Sequence, residues 1–360
     1  MNFPQSISLT ITNHCNLRCQ MCGQWSEEGY IRRNLDSLKH EMALADWMRV
    51  VDELAAHGIR SLLLRGGEAF MLPGIIELLD YIHARGMFIS IDTNGTLLKQ
   101  YAEDILRIGN MHLTISVDGP EAVHDAVRGV PGTFQRIREG VAQLIELEKM
   151  GGNTISRSIC FTISQYNYRY LGCMPDVTRS LGLGSIAIVP YYYFPDSAGH
   201  RYEEELHSLG CNAFTWLGFH HEESGVEFVE FQRQYRQFLA SLGELQNYPY
   251  MPLGEPEYQA WFSDSQALVG YPNCLNIEKL IDIQPDGSAN FCVDFVDYSF
   301  GNVREATIQE LWNGERAERF RQYRRAHALA VCQRCGAKYM SQPWSDYTLA
   351  GLSINLPLPG

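Results

Sequence analysis

Three cysteines close to the N-terminus have a spacing that suits a metal cluster. Cys15, Cys19 and Cys22 form a C-x3-C-x2-C pattern. A cubane iron-sulfur cluster normally takes four thiolate ligands, so three leave one iron open to bind another molecule and pass it an electron. Zinc is the main alternative, but it requires a fourth cysteine or histidine nearby, and His14 is poorly placed to serve. The pattern therefore predicts a chemical site.

Four further cysteines lie in the last quarter of the chain: Cys274, Cys292, Cys332 and Cys335. Four thiolates are the complement for one cluster ligated entirely by protein, although a C-x2-C pair also serves zinc. Such a cluster has no open iron, so we expect it to conduct electrons. The isolated cysteines are interpreted as small buried hydrophobic residues, namely Cys160, Cys173 and Cys211.

Strand-like and helix-like runs alternate over the first 190 residues. Such alternation favours parallel strands joined by right-handed crossovers, and six strands approach a barrel. The sequence therefore predicts an α/β fold, a partial (β/α)6 barrel of the TIM-like kind. The predicted strands are Ser6–Thr12, Arg60–Leu64, Met87–Asp92, Met111–Val117, Arg157–Thr162 and Ser185–Val189. The predicted helices are Ala43–His57, Gly74–Ala84, Leu97–Ile108, Phe134–Met150 and Tyr168–Leu181.

Each of the first four predicted strands is followed by a loop of distinctive residues. In β/α barrels such loops meet at the C-terminal rim of the strands, where active sites are built. A glycine pair lets backbone groups approach a ligand without a Cβ in the way, and a carboxylate suits a cation. The cysteines and the glycines should therefore converge. After the cysteine loop the loops are Arg65-Gly66-Gly67-Glu68, Thr93-Asn94-Gly95 and Asp118-Gly119-Pro120.

The alternation stops after residue 190, where the composition becomes aromatic. We expect an amphipathic helix over Glu222–Leu242 and a hairpin in which Pro285-Asp286-Gly287 forms the turn. A last helix is predicted over Ile308–His327, and it leads to Cys332 and Cys335.

The composition argues against some classes of function. Its 360 residues are 45% hydrophobic and 20% charged, with a formal net charge of -13. No apolar run is long enough to span a membrane, and the charge has the wrong sign for a nucleic-acid surface. We expect neither a membrane nor a nucleic-acid partner. The N-terminal residues show no secretory signal, so a cytoplasmic location is the default.

Taken together, the motifs resemble those of the radical S-adenosylmethionine (SAM) enzymes, in the branch with a C-terminal SPASM or shorter twitch iron-sulfur domain. The likeness covers nearly the whole chain. In the N-terminal half it is carried by the run TNHCNLRCQMCG, the loops named above, Ser116-Val117-Asp118 and His124–Gly129. In the C-terminal part it is carried by Cys274, Gly287, Cys292, Gly301-Asn302-Val303, Leu311-Trp312, Cys332 and Cys335. No cysteine follows Cys335, so the domain resembles the twitch type.

The resemblance implies a division into parts and a set of cofactors. Residues 1–200 would form the radical SAM barrel, 201–270 an aromatic-rich and mainly helical connection, 271–345 the auxiliary cluster domain and 346–360 a tail. Cys15, Cys19 and Cys22 would hold a 4Fe-4S cluster that chelates SAM, and the C-terminal cysteines a second, auxiliary 4Fe-4S cluster. Residues expected to contact SAM are Gly66, Gly67, Glu68, Asn94, Ser116, Asp118 and Arg128. Glu68 would face the SAM ammonium, unless it only caps a helix. Arg128 would pair with the SAM carboxylate, or only fix its loop.

The resemblance also implies an activity: reductive cleavage of SAM to a 5′-deoxyadenosyl radical that abstracts a hydrogen atom from a substrate. The electron donor would be a flavodoxin or ferredoxin. Because the first strand begins by about Ser6, no leader-binding domain is expected, which favours a small polar substrate, such as a carbohydrate, cyclitol or nucleotide. An auxiliary cluster that conducts electrons favours net oxidation. The alternatives are a maturase that modifies or epimerises a ribosomal peptide, with a thiol such as Cys160 as hydrogen donor, and a non-catalytic electron-transfer or redox-sensing protein. The sequence identifies no catalytic residue beyond the cofactor ligands.

Overall fold

The computed structural model describes residues 2–247, 251, 253–270 and 274–340. The predicted tail at 346–360 lies outside the described residues, as do both ends of the predicted domain at 271–345. In the described ranges, no helix is long and apolar enough to cross a membrane.

Ten strands within the described residues form one sheet, in the order β10-β9-β8-β1-β2-β3-β4-β5-β6-β7. Strands β1 to β6 are parallel neighbours, and the sheet does not close, which confirms the predicted partial barrel. The strands are β1 (Ser6–Thr12), β2 (Ser61–Gly66), β3 (Phe88–Thr93), β4 (Met111–Ser116), β5 (Ser156–Ile163), β6 (Ser185–Pro190), β7 (Gln246–Asn247), β8 (Leu280–Ile283), β9 (Ser288–Asn290) and β10 (Ser299–Asn302).

Helices connect the parallel strands and continue into the C-terminal part. They are α1 (Leu44–Ala56), α2 (Ile75–His83), α3 (Leu98–Ile108), α4 (Glu121–Arg128), α5 (Thr133–Lys149), α6 (Met174–Ser180), α7 (Asp196–Ser208), α8 (Phe228–Ser241), α9 (Glu255–Ser263), α10 (Asn276–Lys279), α11 (Ile308–Trp312) and α12 (Glu315–Ala326).

Three helix predictions differ from the structure. The run predicted over Tyr168–Leu181 is a 3-10 turn followed by α6, and the helix predicted from Glu222 begins only at Phe228. The last predicted helix is two helices: α11 ends at Trp312, and α12 begins at Glu315, after Gly314. The sequence pattern does not predict helix α4, and His124–Gly129 enters the sequence analysis only as a motif.

The parallel strands separate an apolar face from a polar one. Successive side chains of a strand point to opposite faces, and in β4 the apolar residues Met111, Leu113 and Ile115 are buried in the core. The alternate residues His112, Thr114 and Ser116 are polar and only half-buried. Strands β3 and β5 show the same alternation, and the polar residues of β1 alternate with apolar ones but are mostly buried. The concave side of the sheet therefore forms a polar lumen.

The predicted C-terminal hairpin extends the barrel sheet instead of standing apart from it. Strands β8 and β9 pair antiparallel, as expected. Strand β8 also pairs parallel with β1, with Ser8 opposite Asp282. The auxiliary domain therefore contributes side chains to the lumen.

Candidate active site

The loop that carries Cys15, Cys19 and Cys22 follows β1 directly. Cys15 and Cys22 pack against a small buried cluster that includes Trp25 and Tyr30. Burial raises the pKa of the Cys15 thiol to about 12, and the charges of the other two cysteines act in the same direction. Burial likewise raises the pKa of Cys19 to about 11. Thiolates form in such a setting when a metal cation balances their charge, so the three residues fit a metal cluster.

Arg128, at the end of α4, lies beside this loop. Its Nη1 is 3.7 Å from the Cys19 sulfur, and its Nε is 2.6 Å from the Asp118 Oδ2. Asp118 is fully buried; burial raises the pKa of its carboxyl, whereas Arg128 lowers it. Arg128 and Asp118 therefore link the loop after β4 to a cysteine of the cluster loop, and contacts of either residue with SAM stay predictions.

The glycine pair after β2 faces the backbone of the cysteine loop. A Cβ at Gly66, whose φ is +149°, would lie 2.1 Å from the Thr12 carbonyl oxygen, and one at Gly67 would lie 2.4 Å from that of His14. The N–H groups of Gly67 and Glu68 donate to these same two carbonyls, each at 2.8 Å. Glycine is therefore needed at both positions, because the two loops approach closely. The expected contact of Gly66 and Gly67 with SAM stays a prediction.

Glu68 connects the loops after β2 and β3. Only 1% of the residue is exposed, and its carboxylate accepts hydrogen bonds from the Thr93 hydroxyl at 2.7 Å, the Asn94 N–H at 2.7 Å and the Phe70 N–H at 3.2 Å. The Asn94 amide in turn donates to the Asn16 side chain at 2.8 Å. These bonds hold the rim loops in one arrangement around the cysteines.

Replacing Glu68 by alanine is expected to weaken SAM binding by about 1.5–3 kcal/mol, the range for a hydrogen bond to a charged group. Glu68→Gln, which keeps the shape of the side chain, should cost less. Calorimetry on the anaerobic holoprotein measures both. Thr93→Val is the matched control, because it removes a hydrogen bond to Glu68 and leaves the carboxylate in place. An unchanged Kd in both Glu68 variants, or an equal loss in Thr93→Val, contradicts an ammonium contact.

The lumen beneath the rim holds a cluster of charged side chains around Arg65. Arg65 Nη2 lies 2.8 Å from Asp294 Oδ1, and the Tyr192 hydroxyl donates to the other oxygen of Asp294 at 3.1 Å. Asp92 and Asp282 are the other carboxylates whose charges act on Arg65. The cluster thus joins strand β2 to the segment after Cys292.

Ser116 and Cys160 lie opposite each other on neighbouring strands of the lumen. Both are half-buried. Burial raises the pKa of the Cys160 thiol to about 12, and the charges of Asp92 and Asp118 add to the effect. Cys160 is therefore a neutral thiol on the lumen face of β5, whereas Cys173 and Cys211 lie outside the barrel strands.

Asp282 is expected to make the stability of the folded protein depend on pH. Burial raises the pKa of its carboxyl from 3.8 to about 6; Asp294 acts in the same direction, and Arg65, Ser8 and Gln284 oppose it. The folded state therefore holds this proton more tightly than the unfolded chain, and the stability contributed by the group is lost as the pH rises towards 6. Asp282→Asn should gain about 1 kcal/mol relative to the wild type between pH 5 and pH 7, measured by anaerobic urea denaturation.

The exposed residue Glu305 supplies the control for that measurement. Glu305→Gln removes a carboxylate in contact with water and should leave the pH profile of stability unchanged. If Asp282→Asn and Glu305→Gln follow the same profile as the wild type, Asp282 does not titrate with the raised pKa.

The four C-terminal cysteines line one cavity, together with Arg324 and Lys338. Burial raises the pKa of the thiols of Cys274, Cys292 and Cys335, and the neighbouring cysteines add to the effect. Four half-buried cysteines that line one space, with cations beside them, fit a fully ligated metal cluster.

The sequence does not predict which residues cover the first cysteine loop, because they are far from it along the chain. The 3-10 turn Thr215–Phe219 packs on this loop, and a Cβ at Gly23 would lie 2.2 Å from the Phe219 ring. The sequence indicates Arg65 only as part of the motif Arg65-Gly66-Gly67-Glu68, and it gives no role to Asp294. The one local signal for Asp294 was its position two residues after Cys292.

The fold and the two cysteine groups define a class of protein. A family model of the radical SAM superfamily matches residues 9–155, and a model of the SPASM iron-sulfur cluster-binding domain matches residues 274–336. The chain belongs to the radical SAM superfamily and carries a C-terminal SPASM-type domain. Its cofactors are SAM with the iron-sulfur cluster that binds it, and an auxiliary iron-sulfur cluster.

Individual relatives differ in what they act on. The AdoMet-dependent heme synthase of Methanosarcina barkeri is 25% identical over 352 residues, which span 94% of this chain and 92% of that protein. The sporulation killing factor maturation protein SkfB of Bacillus subtilis is 31% identical over 144 residues, 40% of this chain and 33% of that protein. The crystal structure of Streptococcus suis SuiB bound to the precursor peptide SuiA has a TM-score of 0.61 at 13% identity, over 94% of this chain and 72% of SuiB, a likeness of fold alone.

Proposed function

We propose that this radical SAM enzyme abstracts a hydrogen atom from a residue of a peptide substrate that enters the barrel lumen, with net oxidation as the outcome. A maturation protein and a structure that holds a precursor peptide are among its relatives. Neither supports the sequence-based preference for a carbohydrate-like or nucleotide-like substrate, and the peptide-modifying alternative fits the relatives better.

The observation that carries the proposal is the charge of the lumen. Among the described residues around Arg65, three carboxylates face this single guanidinium: Asp92, Asp282 and Asp294. Such an environment repels substrates that bear carboxylates, and a tetrapyrrole such as heme carries propionate groups. A neutral or cationic peptide side chain matches the charge of the lumen.

Seven cysteines would hold the two clusters in this proposal. Cys15, Cys19 and Cys22 would bind the cluster that chelates SAM, and the four cysteines of the C-terminal cavity the auxiliary one. When bound, SAM and its cluster supply the radical that removes the hydrogen atom. The protein's own part is to orient the substrate in the lumen, to cover the cluster loop with Phe219 and to keep Glu68 and Asn94 in place at the rim.

Substrate-stimulated release of 5′-deoxyadenosine tests the proposal. The reconstituted holoprotein is incubated anaerobically with SAM and dithionite, and with a random-sequence peptide library, iron coproporphyrin III or a mixture of sugars and nucleotides. Peptides should raise the release above the substrate-free rate, and lysine-containing peptides should lose most of this stimulation in Asp92→Asn. The exposed Asp36→Asn is the matched control. Stimulation by iron coproporphyrin III or by sugars, without an effect of peptides, contradicts the proposal.

A further inference from the structure

We propose that Arg324 and Lys338 raise the reduction potential of the auxiliary cluster by placing two buried positive charges against its cysteine ligands. The inference rests on the proposed function, in which those four cysteines hold the cluster. It assigns a role to two residues that belong to none of the motifs.

Both side chains are fixed in the wall of the cysteine cavity. Arg324 comes from α12, is 7% exposed and donates to the carbonyl of His327. Lys338 follows Cys335 by three residues, is 3% exposed and donates to the carbonyls of Val269 and Cys332, the latter at 3.4 Å. Backbone oxygens therefore hold both cationic groups in the wall of the cavity.

The remaining lining of the cavity is apolar or neutral. Among the described residues that line it, Arg324 and Lys338 carry the positive charges, and the carboxylate of Glu205, outside the lining, also acts on Arg324. Apolar side chains such as Phe291, Phe295 and Val331 keep water away, so a charge here is weakly screened. The charges of Cys274, Cys292, Cys332 and Cys335 all act on Arg324.

The two cations favour the reduced cluster for an electrostatic reason. Each electron added to a thiolate-ligated cluster makes it more negative, and nearby positive charge stabilises the more negative state, as hydrogen bonds, net charge and burial do for iron-sulfur clusters in general. The two cations thereby make the auxiliary cluster easier to reduce than it would be without them. This suits it to accept the electron that a substrate radical gives up when it is oxidised to product.

A redox titration followed by electron paramagnetic resonance measures this effect without turnover. In Arg324→Gln and in Lys338→Gln, reduction of the auxiliary cluster should become about tenfold less favourable, a shift of about 59 mV to lower potential for one electron. The signal of the N-terminal cluster should not move. Arg324→Lys keeps the charge and should restore most of the potential.

Arg325 provides the matched control on the same helix. It is the next residue of α12, is half-exposed, and pairs with Glu278 at 2.7 Å and Glu318 at 3.0 Å. Arg325→Gln removes the same charge on the solvent side, where water and salt screen it, and should leave both potentials unchanged. Potentials in Arg324→Gln and Lys338→Gln that match those of Arg325→Gln overturn the inference.

Metal content separates a failure of the inference from a failure of the proposed function. Wild-type protein that binds zinc in the C-terminal cavity, or iron for one cluster only, contradicts the assignment of the auxiliary cluster. Two intact clusters with unmoved potentials contradict the role of Arg324 and Lys338 alone. Lys338 lies outside the long helices, so Lys338→Gln decides the question if Arg324→Gln does not fold.

Discussion

Replacing Cys15, Cys19 and Cys22 together by alanine is expected to abolish reductive cleavage of SAM and to remove one of the two clusters. The three cysteines lie on one loop, with Cys19 buried and Cys15 and Cys22 half-buried, so metal binding there depends on all of them together. Iron content should fall from about eight to about four atoms per chain, as for the loss of one cubane. Iron analysis and release of 5′-deoxyadenosine with dithionite measure the two effects.

The matched control for the triple variant uses cysteines outside both groups. Cys173 and Cys211 are half-buried and lie away from both cysteine sites. The double variant Cys173→Ala, Cys211→Ala should keep about eight irons and the full rate of SAM cleavage. Reductive cleavage that persists in the triple variant means that the SAM-binding cluster is held elsewhere.

The local pattern of the sequence predicts the barrel, because the spacing of polar and apolar residues within each strand and helix indicates which of its faces is buried. Strand β1 has the predicted bounds, Ser6–Thr12, since its alternation of polar and apolar residues continues along its whole length. The other five barrel strands shift by one or two residues at their ends. The cysteine spacing similarly predicts a metal site, because its ligands are close along the chain.

Contacts between distant segments leave no such local signal. Strand β8 pairs with β1 across about 270 residues, and Arg65 meets Asp294 across 229. Nothing in the composition of either segment specifies its partner. The sequence does not predict the packing of Phe219 against Gly23 either, because a glycine in a loop is compatible with many neighbours.

Roles that depend on such contacts were therefore only partly predictable. The motif identified Glu68 as important, but its bonds to Thr93 and Asn94 appear only when β2 and β3 are placed side by side. The sequence places Arg324 only within the predicted last helix. Its position in the cysteine cavity appears only in the folded chain, where residues from distant segments line one space.

Replacing any one of the auxiliary cysteines should suppress product formation while reductive cleavage of SAM continues. Cys292→Ala is the sharpest case, because Cys292 lies just after β9 and two residues before Asp294, where the cavity and the lumen meet. Without the auxiliary cluster the substrate radical has no acceptor for its electron, so SAM is consumed without oxidised product. Mass spectrometry of the peptide and chromatography of 5′-deoxyadenosine, compared in one reaction, measure this uncoupling.

Cys160→Ala is the variant that distinguishes oxidation from epimerisation. Its neutral thiol, opposite Ser116 on the lumen face, is placed to return a hydrogen atom to a substrate radical. If the reaction is an oxidation, Cys160→Ala keeps product formation and Cys292→Ala loses it. The reverse result, with deuterium from the solvent at the attacked carbon of the wild-type product, identifies an epimerase. An exchangeable thiol that returns a hydrogen atom to that carbon delivers solvent deuterium there.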